Sequence, residues 1–229
     1  YLAGAFIYDR DRERLRRFPG TEVLITDFGE ENVENQALFG ALEYDFTDKL
    51  TSTVEFRYQE DTIENVQAAG PTLSETFDSA QTRFTLDYAV NDDLMVYLNI
   101  AQGNKPGAIN SDPRLPPEFR TAEEEESWNY EAGFKANLFE NRMTLNTSVF
   151  YIDWTQQQLT QSGEFNDIPL SFITNAGETT VYGFEVMGDF VLTPSWTAGF
   201  SFALASATFD ENCDPVQGEQ LTGFDCVSE

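Results

Sequence analysis

The chain has 229 residues, with 40 acidic and 13 basic side chains, no His, and a net charge of −27 at pH 7. That surplus repels nucleic-acid phosphates, so no nucleic-acid partner is expected, and the lack of His removes Ser-His-Asp and Cys-His nucleophiles together with the usual zinc sites. No uncharged apolar run approaches the roughly 20 residues of a transmembrane helix, the longest being pieces such as Leu94–Ile100.

What remains, including 20 Phe and 9 Tyr, favours membrane-crossing strands, and the chain carries their period of two. Strands are expected around Leu2–Tyr8 and Leu38–Phe46. From Leu50 onward, Leu50, Ser52, Val54, Phe56 and Tyr58 fall on one face and Thr51, Thr53, Glu55, Arg57 and Gln59 on the other. Next, Ala80, Thr82, Phe84, Leu86, Tyr88 and Val90 oppose Gln81, Arg83, Thr85 and Asp87. Then Leu94, Val96, Leu98 and Ile100 oppose Tyr97, Asn99 and Gln102. Trp128 to Leu138, Met143 to Tyr151, Tyr182 to Leu192 and Trp196 to Thr208 repeat the scheme, for about nine strands.

The connections alternate in length. Tight turns are expected at Thr47-Asp48-Lys49, Asn91-Asp92-Asp93, Glu140-Asn141 and Thr193-Pro194-Ser195, and long loops at residues 10 to 32, 61 to 78, 104 to 126, 161 to 174 and 210 onward. This predicts an all-β fold, a segment of a large antiparallel transmembrane β-barrel with short periplasmic turns and long extracellular loops. Tyr44, Phe46, Tyr88 and Trp196 would form a periplasmic aromatic girdle. A soluble β-sandwich also alternates, but with shorter strands. Tyr1 follows no basic signal region and the chain stops in a polar stretch, so residues 1–229 are expected to be one partial barrel domain within a longer protein.

No catalytic residue, cofactor or resident metal is expected. The inward carboxylates Glu43, Asp45, Glu55 and Asp87 suit ion pairs with Arg57 and Arg83 better than a glycosidase pair. The arginines at 10, 12, 14, 16 and 17 are interrupted by Asp11 and Glu13, so an alternating-charge loop or strand extension competes with a phosphate or lipopolysaccharide site. The run Glu123 to Glu126 reads as a solvated loop base, with divalent cations as the alternative. Cys213 and Cys226, with twelve residues between them, suggest a loop disulfide in an oxidising compartment, or two unrelated thiols. The loop from Asn104 to Thr121 offers Lys105, Asn110, Arg114 and Arg120, stiffened by Pro106, Pro113, Pro116 and Pro117, either to contact a ligand or as a rigid structural loop. Trp154, followed by Gln156 to Gln158, would suit a sugar or siderophore, or ordinary packing.

Three stretches together resemble the TonB-dependent outer-membrane receptor family: Val96-Tyr97 through Gln102-Gly103-Asn104-Lys105-Pro106-Gly107, then Glu126-Ser127-Trp128-Asn129-Tyr130-Glu131-Ala132-Gly133-Phe134-Lys135, then Asn175-Ala176-Gly177 with Gly183-Phe184-Glu185. The second is like the family's Glu-x-x-x-Asn-Tyr-Glu-x-Gly-x-Lys strand. Its Asn129, Glu131, Gly133 and Lys135 share the inward face and read as wall-building residues. The resemblance implies a barrel of about 22 strands with a plugged lumen in the bacterial outer membrane. It further implies uptake of a scarce nutrient, a ferric siderophore foremost, energised by a TonB-type partner acting through a plug that lies outside this sequence. A passive porin or a soluble adhesion module is the alternative.

Overall fold

A computed structural model describes residues 1–17, 25–66, 71–165 and 168–209. Among these residues thirteen strands occur in order: β1 Leu2–Arg17, β2 Ile25–Thr47, β3 Leu50–Val66, β4 Leu73–Asn91, β5 Leu94–Lys105, β6 Ala108–Ile109, β7 Thr121–Ala122, β8 Glu125–Leu138, β9 Met143–Thr155, β10 Gln158–Phe165, β11 Ile168–Asn175, β12 Thr179–Thr193 and β13 Trp196–Phe209. Nine form one antiparallel sheet, β1-β2-β3-β4-β5-β8-β9-β12-β13, while β6 pairs with β7 and β10 with β11 in small hairpins above it. The nine-stranded sheet does not close on itself.

The register sorts side chains by face, because directly opposed residues point the same way. Leu42, Val54, Phe84, Ile100, Tyr130, Tyr151 and Tyr182 form one outward row across the sheet. Leu86, Leu98, Ala132, Val149, Phe184 and Leu204 form the next. Tyr44, Phe46, Tyr88 and Trp196 are exposed at the turn end, as expected of a girdle. The eight-residue step from Phe190 to Tyr182 on β12, at about 3.4 Å per residue and a tilt near 40°, spans about 20 Å, close to the apolar height of an outer-membrane barrel.

Pairing fixes the faces of β1, and several expectations change. In β1 the aromatic set lies inside: Leu2, Phe6 and Tyr8 pair with Ala41, Ala37 and Asn35 on the inward face, and Arg57 sits 5.3 Å above the Phe6 ring. Gln102 pairs with Trp128 and shares the outward face of Ile100, since period two gives even positions one side. The loops at 10–32 and 61–78 are largely strand, with β1 reaching Arg17, β2 starting at Ile25, β3 reaching Val66 and β4 starting at Leu73. The span 161–174 falls mostly within the β10–β11 hairpin. Above the membrane both faces are polar, so hydropathy no longer alternates although ladder pairing continues. The arginine run is therefore a strand extension, in which Arg10 donates to Glu31 at 2.7 Å; the side chains of Arg14, Arg16 and Arg17, and the cysteines Cys213 and Cys226, lie outside what is described. The outward face of this collar is acidic, carrying Asp9, Asp11, Glu34, Glu60, Glu64 and Asp78.

Three tight turns share one device. Thr47 Oγ1 accepts from the Lys49 and Leu50 amides at 3.2 and 3.0 Å, Asn91 Oδ1 accepts from Asp93 N at 2.9 Å, and Thr193 Oγ1 accepts from Ser195 N at 3.3 Å. The fourth, Phe139 to Arg142, carries left-handed φ angles at Phe139, Glu140 and Asn141.

On the inner wall, Tyr97 lies across Gly133. Its hydroxyl donates to Glu131 at 2.7 Å and Lys135 Nζ lies 5.6 Å from its ring centroid. The motif residues are thus joined as a wall unit. A Cβ on Gly133 would stand 2.5 Å from Thr147 O and 2.7 Å from the Tyr97 ring. Gly133→Ala is therefore expected to lower barrel stability by about 1–3 kcal/mol, read as a lower unfolding midpoint in detergent. Tyr97→Ala should restore little of it, because the nearest clash is with main chain.

Candidate functional site

The irregular β5–β8 connection and the β10–β11 hairpin meet at the extracellular rim around one buried carboxylate, Glu125. Its Oε1 accepts from Lys105 Nζ at 2.7 Å and from the Gln158 amide at 2.9 Å, and its Oε2 accepts from Trp154 Nε1 at 3.0 Å. Glu125 is 5% exposed, so these donors are what keep a charge tolerable there. Lys105 comes from the end of β5, Trp154 from the inward face of β9, and Gln158 from the first position of β10.

Further polar side chains complete the joint. Asn175 Oδ1 accepts from Glu123 N at 2.6 Å, while its Nδ2 donates to Glu123 O and Gln156 O at 3.0 and 2.7 Å. Gln158 Nε2 donates to Pro106 O and Glu123 O at 2.8 and 2.9 Å. Lys105 of the first family-like stretch and Asn175 of the third, far apart in sequence, thus meet Glu125 and Glu123, just ahead of the second. Gly177, at φ 96°, occupies a conformation that suits glycine and lets the chain leave this joint toward β12.

The expected ligand-contacting residues separate. Lys105 and Trp154 come together at Glu125. Asn110 is buried, and its amide is occupied by Phe119 and Ile173 main chain. Arg114 is exposed and bonds Asp112 at 2.8 Å from Nε, while Arg120 is exposed and donates to Leu115 O at 3.3 Å. The Arg114 guanidinium holds the Asp112 carboxyl below its usual range. Glu125 was missed in the acidic run, although the Glu-x-x-x-Asn-Tyr-Glu spacing counted back from Asn129 lands on it. Among the described residues, no group of three or more acidic or Cys side chains could hold a metal ion.

Beneath the rim, the inward face is a polar network. Asp61 accepts from Asn35 Nδ2 at 2.6 Å and from Gln59 Nε2 at 3.0 Å, and Arg57 Nε donates to Gln59 Oε1 at 2.7 Å. The expected inward ion pair forms between Arg83 and Glu55 at 3.1 Å. Arg57, Gln81 and Arg83 line an open concavity of about 410 Å³ whose apolar side is Leu2, Phe39 and Ala41.

Gln81 also donates to Asn104, whose Nδ2 donates to Glu124 at 3.4 Å. Burial, then the nearby Asp78, Asp61 and Glu126 charges, raise the Glu124 carboxyl above its ordinary value, against the lowering effect of the Asn104 bond. A raised carboxyl stabilises the fold when protonated, so rim stability is expected to fall as pH rises from the ordinary Glu range through the raised value. Glu124→Gln should flatten that dependence, measured as hydrogen exchange of residues 104–126 across the acid range.

An amphipathic antiparallel wall with short turns at one end and a built rim at the other defines an outer-membrane β-barrel of the large, loop-crowned class. The chain belongs to the TonB dependent receptor-like, beta-barrel family, which matches residues 2–225. It is 24% identical over 205 residues to the pesticin receptor of Yersinia enterocolitica and 23% identical to that of Yersinia pestis, a match covering 86% of this chain and 29% of each relative. The chain thus spans under a third of those relatives.

In fold it is similar to the ferric yersiniabactin uptake receptor FyuA from Yersinia pestis, with a TM-score of 0.66 at 19% identity over 92% of this chain and 32% of that one. It is similar also to the ferripyoverdine receptor of the Pseudomonas aeruginosa outer membrane, at TM-score 0.67 and 14% identity over 92% and 30%. A third is the copper transporter OprC, at 0.67 and 14% over 93% and 36%. The chain is therefore a section of a larger barrel wall in the bacterial outer membrane.

Proposed function

We propose that this wall and rim belong to a TonB-coupled importer of a scarce nutrient, with a ferric siderophore as its substrate. The observation that carries the reading is the joint at Glu125, which ties the β5–β8 connection to β9 and the β10–β11 hairpin and leaves Arg114 and Arg120 exposed on the rim above a polar inner wall. Such an arrangement suits a bulky, hydrogen-bonding metal chelate, with the cations giving local attraction to its anionic groups. The structural relatives, receptors for ferric yersiniabactin and ferripyoverdine among them, point the same way.

The test is iron uptake by the whole receptor in a Gram-negative strain lacking its own siderophore receptors. Radiolabelled iron is supplied as phenolate, catecholate and hydroxamate chelates, before and after collapse of the inner-membrane proton gradient. Uptake of at least one chelate that stops on collapse is expected. Uptake that continues unchanged would make the protein a passive channel, and failure with every ferric chelate would remove the siderophore assignment.

A further inference from the structure

We propose that the β5–β8 connection and the β10–β11 hairpin form a single rigid lid, held together by two asparagines that staple the connections reciprocally. Asn110, in the first connection, binds both main-chain groups of Ile173 in the second. Its Oδ1 accepts from Ile173 N at 2.8 Å, and its Nδ2 donates to Ile173 O at 2.6 Å and to Phe119 O at 2.8 Å. Asn175, in the second, binds both main-chain groups of Glu123 in the first. A carboxamide used this way imitates the next strand of a ladder, so Asn110 satisfies the edge of β11 at Ile173 without a strand pairing there.

The space between the staples is a small apolar core. Leu115, 2% exposed, packs with Phe172, and the Phe119 ring lies 5.3 Å from that of Phe172. Leu115 and Phe119 come from one connection and Phe172 from the other, so neither connection can lift alone without exposing it. Separate movement would also leave the amide of Asn110, or that of Asn175, without its partners.

The lid rests on the inner side of the wall. A Cβ on Gly107 would collide with the Phe77 ring and stand 2.5 Å from Ala122 O, so the chain there is pressed against β4. Phe77 pairs with Asp61 on the inward face, which puts the lid over the lumen. On the other side the chain enters the lid from β9 at Gln156 and returns to β12 at Gly177, at φ 53° and 96°, the two passages bridged by a Gln157 N to Gly177 O bond of 3.3 Å. These positions, with the Glu125 joint, are the pivot. Opening of the lumen is then one movement of both connections about that pivot, whatever the ligand.

Hydrogen exchange of the whole receptor in detergent tests this. Under conditions where opening limits exchange, residues 106–122 and 158–175 are expected to share one opening rate in the unmodified protein; two distinct rates would overturn the proposal. Asn110→Ala and Asn175→Ala should each speed exchange in both segments together, by roughly tenfold from the loss of two or three hydrogen bonds. Strands β8 and β9 should keep their protection, and Glu60→Gln, on the outward collar, should change neither segment. Acceleration of one segment while the other holds its original rate would equally refute a single lid. Should a variant lose the heat-dependent gel shift of a folded barrel, the rates in the unmodified protein decide alone.

Discussion

Replacing Glu125 with Ala is expected to destabilise the rim by about 3 kcal/mol, read as faster exchange and proteolysis across residues 104–126 and 155–179. The ion pair itself contributes little, because Lys105 is largely exposed and water screens it. Most of the effect comes from the Gln158 amide and the Trp154 indole N–H, which lose a charged acceptor in a site with little water. Glu125→Gln keeps acceptor capacity but not charge, and should cost about 1 kcal/mol. If Glu125→Ala left exchange at Gln158 unchanged, the carboxylate would not be the centre of the joint.

Neighbouring substitutions on β5 separate the two faces even more sharply. Leu98→Arg puts a guanidinium among Leu86 and Ala132 on the outward face, near mid-height of the apolar belt, and is expected to cost about 2–4 kcal/mol of barrel stability. Asn99→Arg faces the lumen, where only a 3.3 Å bond from Thr85 Oγ1 is lost, and should cost under about 1 kcal/mol. Unfolding in lipid vesicles measures both. Equal effects would mean that the inside and outside of the wall have been exchanged.

The wall from Leu50 to Thr208 was legible in the sequence because burial in lipid forces every second residue to be apolar, and the tight turns announced themselves through Thr47, Asn91 and Thr193. Two other things were not. In β1 both faces carry apolar residues, so alternation gave no inside or outside; only the pairing of Leu2 with Ala41 decides it. At the rim, Glu125 looked like its three acidic neighbours, since nothing local distinguishes a carboxylate that will meet Lys105, Trp154 and Gln158 only after folding. Asn110 lies in the loop expected to contact a ligand, and its side chain is occupied within the lid.

The stiff polar collar above the belt has a further consequence, for how such a surface can vary over generations. Its ladder bonds and inward network hold the shape, with Asn35, Gln59 and Asp61 engaged to one another. Exposed outward positions such as Glu34 and Glu60 carry no packing duty, and changes there should stay within about 0.5 kcal/mol. Any macromolecule arriving from outside the cell meets that outward skin first. A lineage can therefore change what its surface presents while the geometry of the mouth stays the same.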